Sequence, residues 1–294
     1  MALDRRTDLA MEAHELWRGS AKNALAGVES RTVFRRGCSV TSVTITDAEA
    51  ARALGKPEGR YVTLDLTPLL RREDTPARAA RAVGAELRAL MGEGVRTVLV
   101  VGLGNAAMTP DAVGPAAAEH VFVTRHLASE PAFSALAAVS VLTPNVLGRT
   151  GIEAAELVCG AVETVRPDAL IAIDALASRS LARLCTSVQL TDTGIVPGSG
   201  VGNHRRALSR ETLGVPVYAI GVPTVVDAAT LTLDVLEEAG RTDVDPAALR
   251  GHAGVMVTTR DIDAQIRALA RIIGYGIDLA LQPLDFSELC ALMG

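Results

Sequence analysis

Two aspartates, Asp111 and Asp174, each follow an apolar run that is typical of a buried parallel strand. Asp111 lies in TVLVVGLGNAAMTPDAVGP, and Asp174 lies in DALIAIDALASRS. Because the carboxyl ends of the strands line the ligand crevice of an open α/β sheet, acids from two strands can face one substrate. Two carboxyl groups that share a proton divide into an ionised base and a protonated acid, a pair that activates water. The pattern therefore predicts a hydrolase.

The local environments predict different roles for the two acids. With Thr109 as the cap and Pro110 as the first residue of a helix, Asp111 falls in the first turn, where the macrodipole favours a negative charge. Asp174 ends an apolar strand, where desolvation favours the protonated form. We expect Asp111 to be the base for water and Asp174 the proton donor; the reverse assignment stays open because a coupled pair titrates as a unit. An ordinary helix-start acid and a strand-end acid bonded to a loop are the structural alternatives.

Other polar residues near the ends of apolar runs are expected to support the pair or to contact substrate. These are Asn105, Thr109, Asp192, Ser199 and Asp227. The glycine-rich run VGLGNAA is a weak match to a dinucleotide fingerprint, and IVPGSGVGNHRR lacks the lysine followed by Ser or Thr of a Walker loop. The histidines show no HExxH spacing and the chain has no GxSxG elbow, which disfavours a zinc peptidase and a serine hydrolase.

Composition indicates a globular protein of 294 residues, 49% of them hydrophobic, with a net charge of −5. The charge argues against direct binding to nucleic acid or to an anionic membrane. The four cysteines have no CxxC spacing, and we find neither a signal peptide nor a spanning segment. We therefore expect a soluble protein of a reducing, cytoplasmic compartment.

The order of apolar patterns predicts an α/β fold in which strands and helices alternate. Strands are expected at 32–46, 60–70, 97–101, 138–142, 169–174, 184–190 and 215–221. Helices are expected at 8–26, 75–91, 151–165 and 225–239, and from 262 to at least 273. The prediction is a three-layer α/β/α domain with a mostly parallel sheet, and a polar joint near 240–251.

The motifs RTDLAMEA, VVGLGN, TPDAVGP, IAIDALASRS, TDTGIVPGSGVGN and AIGVPTVVDA resemble, in this order, the spore germination proteases of endospore-forming bacteria. The resemblance covers 5–227, and VMVTTRDID resembles a later segment of the family. It implies the fold of hydrogenase maturation peptidases and an atypical aspartic endopeptidase with Asp111 and Asp174 as its catalytic acids. It also implies small acid-soluble spore proteins as substrates, a homotetrameric zymogen, and the spore core as location. No cofactor is expected, although a divalent metal at the acids is left open.

The family cuts after an acidic residue, an apolar residue and an alanine, and Thr7-Asp8-Leu9-Ala10-Met11-Glu12 resembles such a site. We therefore expect self-cleavage between Ala10 and Met11, with 1–10 as a propeptide and 11–294 as one peptidase domain. The alternative is an ordinary amphipathic helix start.

Two departures from the family pattern are visible. The joint after Gly240 is shorter than in typical members, and Val196 stands where many members have histidine. Two alternative functions stay open for this chain: a metal-dependent maturation peptidase for another protein, and a non-catalytic binding or assembly protein on the same scaffold.

Overall fold

The computed structural model describes residues 5–20, 25–70, 75–198, 206–241, 249 and 254–293. Within these residues the chain forms a nine-stranded sheet. Its strands are β1 (Val28–Arg35), β2 (Cys38–Ile45), β3 (Gly59–Asp65), β4 (Thr97–Gly102), β5 (Ala138–Leu142), β6 (Ala169–Ser178), β7 (Ser187–Thr191), β8 (Val217–Asp227) and β9 (Met256–Val257). Their order is β1-β2-β3-β7-β8-β6-β4-β5, and β9 pairs with β8.

The strands that carry the site are parallel. β8, β6, β4 and β5 run in one direction, whereas β1, β2, β3, β7 and β9 form antiparallel pairs with their neighbours. The parallel strands have almost uninterrupted apolar sequences, as expected for strands that are buried on both faces. Their carboxyl ends meet at one edge of the sheet, which is where the cavity described below opens.

Helices cover both faces of the sheet. They are α1 (Ala10–Ser20), α2 (Ala48–Leu54), α3 (Thr67–Leu70), α4 (Thr75–Met91), α5 (Val113–Ala118), α6 (Leu147–Thr150), α7 (Ala154–Val165), α8 (Arg210–Leu213), α9 (Ala228–Glu238), α10 (Ile262–Leu281) and α11 (Phe286–Met293). Alternate side chains of one strand enter different cores: Val100 of β4 packs in the core with α4 and α10, and Val101 packs in the core with α7. This alternation confirms the predicted three-layer α/β fold.

Several predicted elements differ in detail from those in the structure. The expected strand at 32–46 is a hairpin of β1 and β2, because Arg36 and Gly37 both adopt positive φ, 53° and 83°, and close a two-residue turn. The second half of the expected strand at 60–70 is the short helix α3, and α11 was not predicted. The polar joint near 240–251 lies largely outside the described residues.

β6 does not end at Asp174, as the sequence pattern predicted, but continues to Ser178. It continues because β8 runs beside it as far as Asp227, with a register shift between Leu176 and Ala177. On the other side, β4 ends at Gly102, opposite Ile173. Asp174 is therefore the first residue of β6 that lies beyond its pairing with β4.

Two buried polar side chains of or next to the long helix α10 fasten it to neighbouring segments, Asp278 to the segment after α5 and Gln282 to the start of β5. The carboxylate of Asp278 accepts hydrogen bonds from the backbone N–H of Phe122 at 3.0 and 3.1 Å. Gln282 accepts a bond from the N–H of Ala137 and donates one to its carbonyl. Burial raises the pKa of Asp278 to about 7, so this chain holds a strongly perturbed acid whose contacts are structural.

The glycines of VGLGN allow two backbone segments to approach closely. Gly104 has φ 110°, and a Cβ placed there would lie 2.0 Å from the carbonyl oxygen of Asp111. A Cβ on Gly102 would lie 2.4 Å from the carbonyl oxygen of Gly114. The glycine pattern that weakly resembles a nucleotide loop therefore brings the chain segment of Asp111 against the end of β4.

We expect Gly104→Ala to destabilise the fold by more than ~2 kcal/mol, because it adds both a clash with Asp111 and backbone strain. The matched control is Gly148→Ala in α6, where a new Cβ has no heavy atom within 4 Å and φ is not positive. Chemical denaturation of both variants measures the difference. Equal stability of the two variants would contradict the close packing described here.

Candidate active site

Asp111 and Asp174 line one cavity of about 450 Å³ at the carboxyl ends of the parallel strands. The acids come from neighbouring strands, Asp174 from β6 itself and Asp111 from the segment that follows β4. The asparagines at 105 and 145 and the threonines at 224 and 258 add polar groups to the wall. Most of the remaining lining is apolar, so charges in this cavity are poorly screened by solvent.

Asp111 is held by backbone groups and not by a long helix. The residues Thr109–Asp111 form a single 3₁₀ turn, which Met108 precedes without any side-chain cap, so the predicted capping by Thr109 is wrong. The N–H of Asp111 donates to the carbonyl of Met108 at 2.8 Å. Its Oδ2 accepts from the N–H of Asn105, also at 2.8 Å. The bond from Asn105 orients the carboxylate.

Asp174 lies in a very different environment, with 4% of the residue exposed. Burial, and after it the negative charge of Asp111, raise the pKa of its carboxyl group to about 7, against backbone hydrogen bonds from Ala175 and Gly198. The bond from the N–H of Ala175 to Oδ1 measures 2.9 Å. The chain thus places two carboxyl groups on one cavity, and the surroundings of Asp174 raise its pKa.

The other residues singled out from the sequence have separate positions. Asn105 lines the cavity, and Thr109 belongs to the 3₁₀ turn, where its carbonyl accepts from the N–H of Ala112. Asp227 is buried as the N-cap of α9, where it accepts from the N–H of Thr230. Ser199 lies outside the described residues.

Asp192 does not line the cavity that holds Asp111 and Asp174, contrary to the sequence-based expectation. Its carboxylate accepts from the backbone N–H and the guanidinium of Arg60, each at 2.8 Å. It lines a second cavity instead. The β3–β7 pairing places Arg60 beside it, and no local sequence pattern contains that pairing.

Sequence reasoning missed Thr224, whose hydroxyl is completely buried in β8. It donates to the carbonyl of Pro110 at 2.6 Å, while Thr258 donates to the carbonyl of Thr224 at 2.7 Å. These bonds join β8 and the segment after β9 to the turn that carries Asp111. The sequence signal that could have identified Thr224 is its position as a single threonine in the apolar run AIGVPTVVDA.

A resident metal would find few ligands at the acid pair. Among the residues that the structure describes, no group of three or more His, Cys, Asp and Glu side chains could hold an ion. Asp111 and Asp174 would therefore need backbone carbonyls, amide oxygens or water to complete a coordination shell. The pair offers the oxygen donors that a hard divalent cation takes, but not a full protein cage.

The amino-terminal segment lies against the strand that carries Asp174. The N–H of Asp8 donates to the carbonyl of Ala177, and the N–H of Ala177 donates to the carboxylate of Asp8, both at 2.8 Å. Leu9 and Ala10 are fully buried, and Ala10 is the first residue of α1. The bond between Ala10 and Met11 is therefore covered in this conformation.

A second cavity, of about 930 Å³, lies beside the first. Asp8, Lys56 and Gln189 line it, and Leu176 lines both cavities. Gly221 of β8 makes room for Leu176, because a Cβ at that position would lie 2.3 Å from the leucine side chain. Leu176 thus separates the acid pair from the docked amino-terminal segment.

Among the described helices, none has both the length and the apolar character that a membrane-crossing segment requires.

Comparison with solved structures gives a distant neighbour. A NiFe hydrogenase maturation protease from Thermococcus kodakarensis covers 66% of this chain and 99% of its own, with 18% identity and a TM-score of 0.38. The α/β fold class is shown by the sheet and its two helical layers.

Comparison with characterised families and sequences is decisive. The germination protease family matches residues 5–241. A germination protease from Caldanaerobacter subterraneus subsp. tengcongensis is 41% identical over 315 residues, which cover 96% of each chain. One from Clostridium perfringens is 40% identical over 95% of each chain, and one from Bacillus cytotoxicus is 45% identical over 79% of this chain and 66% of its own. This chain belongs to the germination protease family.

Proposed function

We propose that the protein is an aspartic-type endopeptidase that begins the degradation of small acid-soluble spore proteins at germination. One observation carries the mechanism: two carboxyl groups line a single cavity, and burial together with the charge of Asp111 raises the pKa of Asp174 to about 7. Membership of the germination protease family supports the biological setting. The homotetramer, the zymogen and the spore core belong to this proposal by resemblance alone.

In the proposed reaction, ionised Asp111 takes a proton from water while the water oxygen bonds to the scissile carbonyl carbon. Asp174 gives its proton to the carbonyl oxygen, which produces a neutral tetrahedral diol. Asp111 then returns its proton to the amide nitrogen as the C–N bond breaks, and Asp174 recovers a proton from one of the diol hydroxyls. The pair ends as it began, so each turnover consumes only water.

Hydrogen bonds around the pair support this division of roles. The N–H of Asn105 stabilises negative charge on Asp111, whereas the buried position of Asp174 stabilises its neutral form. The mostly apolar wall keeps the two environments distinct.

Replacement of either acid is expected to abolish hydrolysis. Asp111→Asn and Asp174→Asn should each lower kcat/KM on a small acid-soluble spore protein by at least ~10³-fold, because each removes a proton-transfer group. Asp278→Asn is the matched control, since Asp278 is a buried acid with a similarly raised pKa but a structural contact to Phe122. Its activity should stay close to that of the unchanged protein.

The same assay separates the alternatives. Hydrolysis that persists in both active-site variants would contradict the mechanism and favour a non-catalytic role for the pair. Activity that vanishes with a chelator and returns with a divalent ion would favour the metal-dependent peptidase. We expect full activity in the presence of chelator.

Hydrolysis should depend on pH through Asp174. Because its pKa is raised to about 7 and the protonated form is the active acid, the rate should fall as pH rises through this value. Removing the neighbouring charge in Asp111→Asn should move the Asp174 titration to lower pH. Carbon-13 NMR of labelled aspartate measures both titrations without requiring activity. A titration of Asp174 near pH 4 in the unchanged protein would contradict the proposal.

Self-cleavage is expected between Ala10 and Met11, to leave a chain that starts at Met11. Because both Leu9 and Ala10 are fully buried, the segment must first leave its site. Mass spectrometry after mild acidification should show the loss of residues 1–10 in the unchanged protein, whereas Asp174→Asn should remain intact. A chain cut at another bond, or processing that survives in Asp174→Asn, would contradict this prediction.

A further inference from the structure

The second cavity contains a lysine whose charge the proposed reaction does not use. Lys56 follows Gly55, the left-handed cap of α2, and its backbone N–H donates to the carbonyl of Ala51. Its ammonium donates to the carbonyl of Thr7 at 3.2 Å. Burial lowers the pKa of this ammonium, and the carboxylates of Asp8 and Glu12 raise it. Lys56 is thus a half-buried cation directed at the docked amino-terminal segment.

That segment is bound largely through its main chain. The carbonyl of Thr7 accepts from Lys56, and the N–H of Asp8 donates to Ala177. Gln189 donates to the carbonyl of Asp8 at 3.3 Å and accepts from the N–H of Ala10 at 2.8 Å. Main-chain bonds of this kind hold any extended peptide, while the pockets for its side chains give specificity.

The side-chain contacts favour one chemical pattern. The carboxylate of Asp8 accepts from the N–H of Ala177 and experiences the charge of Lys56. The next two side chains, of Leu9 and Ala10, are fully buried. The groove therefore holds an acidic residue followed by an apolar one and a small one.

The groove adjoins the acid pair. The sheet register places Gln189 opposite Gly221, and Gly221 opposite Asp174. Since neighbouring strands lie about 4.8 Å apart, Gln189 and Asp174 are separated by roughly 10 Å across the sheet. Leu176, two residues after Asp174 in β6, lines both cavities. A polypeptide anchored in the groove needs only a few residues to reach Asp174.

We propose that this groove binds the substrate polypeptide after residues 5–10 leave it, and that Lys56 is the specificity-determining residue for an acidic side chain. The inference rests on the proposed endopeptidase activity, because self-cleavage keeps the segment from returning to the groove. Once Thr7 and Asp8 depart, Lys56 faces the second cavity without those two partners. Asp192 also lines this cavity, but its carboxylate is already paired with Arg60. An incoming carboxylate would replace the charge that has been lost.

The test compares two peptides that copy residues 5–16, one with aspartate and one with asparagine at the position of Asp8. The processed protein should cleave the aspartate peptide with at least ~10-fold higher kcat/KM, mainly through KM. In Lys56→Met the preference should fall below about 2-fold, and Lys56→Arg should restore part of it. Lys56→Glu should prefer a third peptide that carries lysine at this position.

Arg52→Met is the matched control. Arg52 lines the same cavity, but its guanidinium Nε donates to the carbonyl of Ala48 in its own helix. This variant loses one positive charge from the groove and should keep the aspartate preference. Thermal unfolding of each variant establishes that the groove is folded before kinetics are compared.

The outcomes separate this inference from the proposed function. An undiminished aspartate preference in Lys56→Met, or an equal loss in Arg52→Met, would overturn the role of Lys56 while leaving the endopeptidase proposal in place. Equal cleavage of both peptides by the unchanged protein would do the same. If the unchanged protein cleaves neither peptide nor a small acid-soluble spore protein, the proposed function fails, and the inference fails with it.

Discussion

The candidate site depends on one carboxyl group, that of Asp174, being buried beside a second, that of Asp111, which accepts a hydrogen bond from the backbone N–H of Asn105. Asp174 is buried in β6, and the charge of Asp111 adds to the desolvation that raises its pKa. Two features of the sheet make this possible. β4 ends one residue before it would pair with Asp174, and Gly104 allows the segment of Asp111 to close over that end. The raised pKa of Asp174 is therefore a consequence of the position at which β4 ends.

A perturbed pKa alone does not identify this site. Burial raises the pKa of Asp278 to about 7 as well, yet that carboxylate accepts from the backbone of Phe122 and fastens α10 to the segment after α5. Asp174 differs because a second acid and an open cavity accompany it. Desolvation raises the pKa of structural and functional acids alike. A second acid that raises the pKa further, in a cavity that admits a ligand, is expected at a site of proton transfer.

The amino-terminal segment is part of the fold as well as a candidate propeptide. Glu12 is completely buried; it accepts from the backbone N–H groups of Arg179 and Ser180 and pairs with Arg183 at 2.8 Å. Together with the bonds of Asp8, this anchors the chain on both sides of the bond between Ala10 and Met11.

The sequence by itself determined the elements whose pattern is local. Apolar runs and helical spacing predicted β4, β5 and α4 closely, and the two acids followed from their positions after such runs. Only the tertiary structure decided that β6 continues beyond Asp174, that Asp192 pairs with Arg60, and that Thr224 supports the turn of Asp111. Periodicity indicates which side of a segment is buried. Strand pairing and long-range hydrogen bonds, in contrast, involve residues that lie far apart in the sequence. For that reason the acids were visible in the chain, but the geometry that joins them was not.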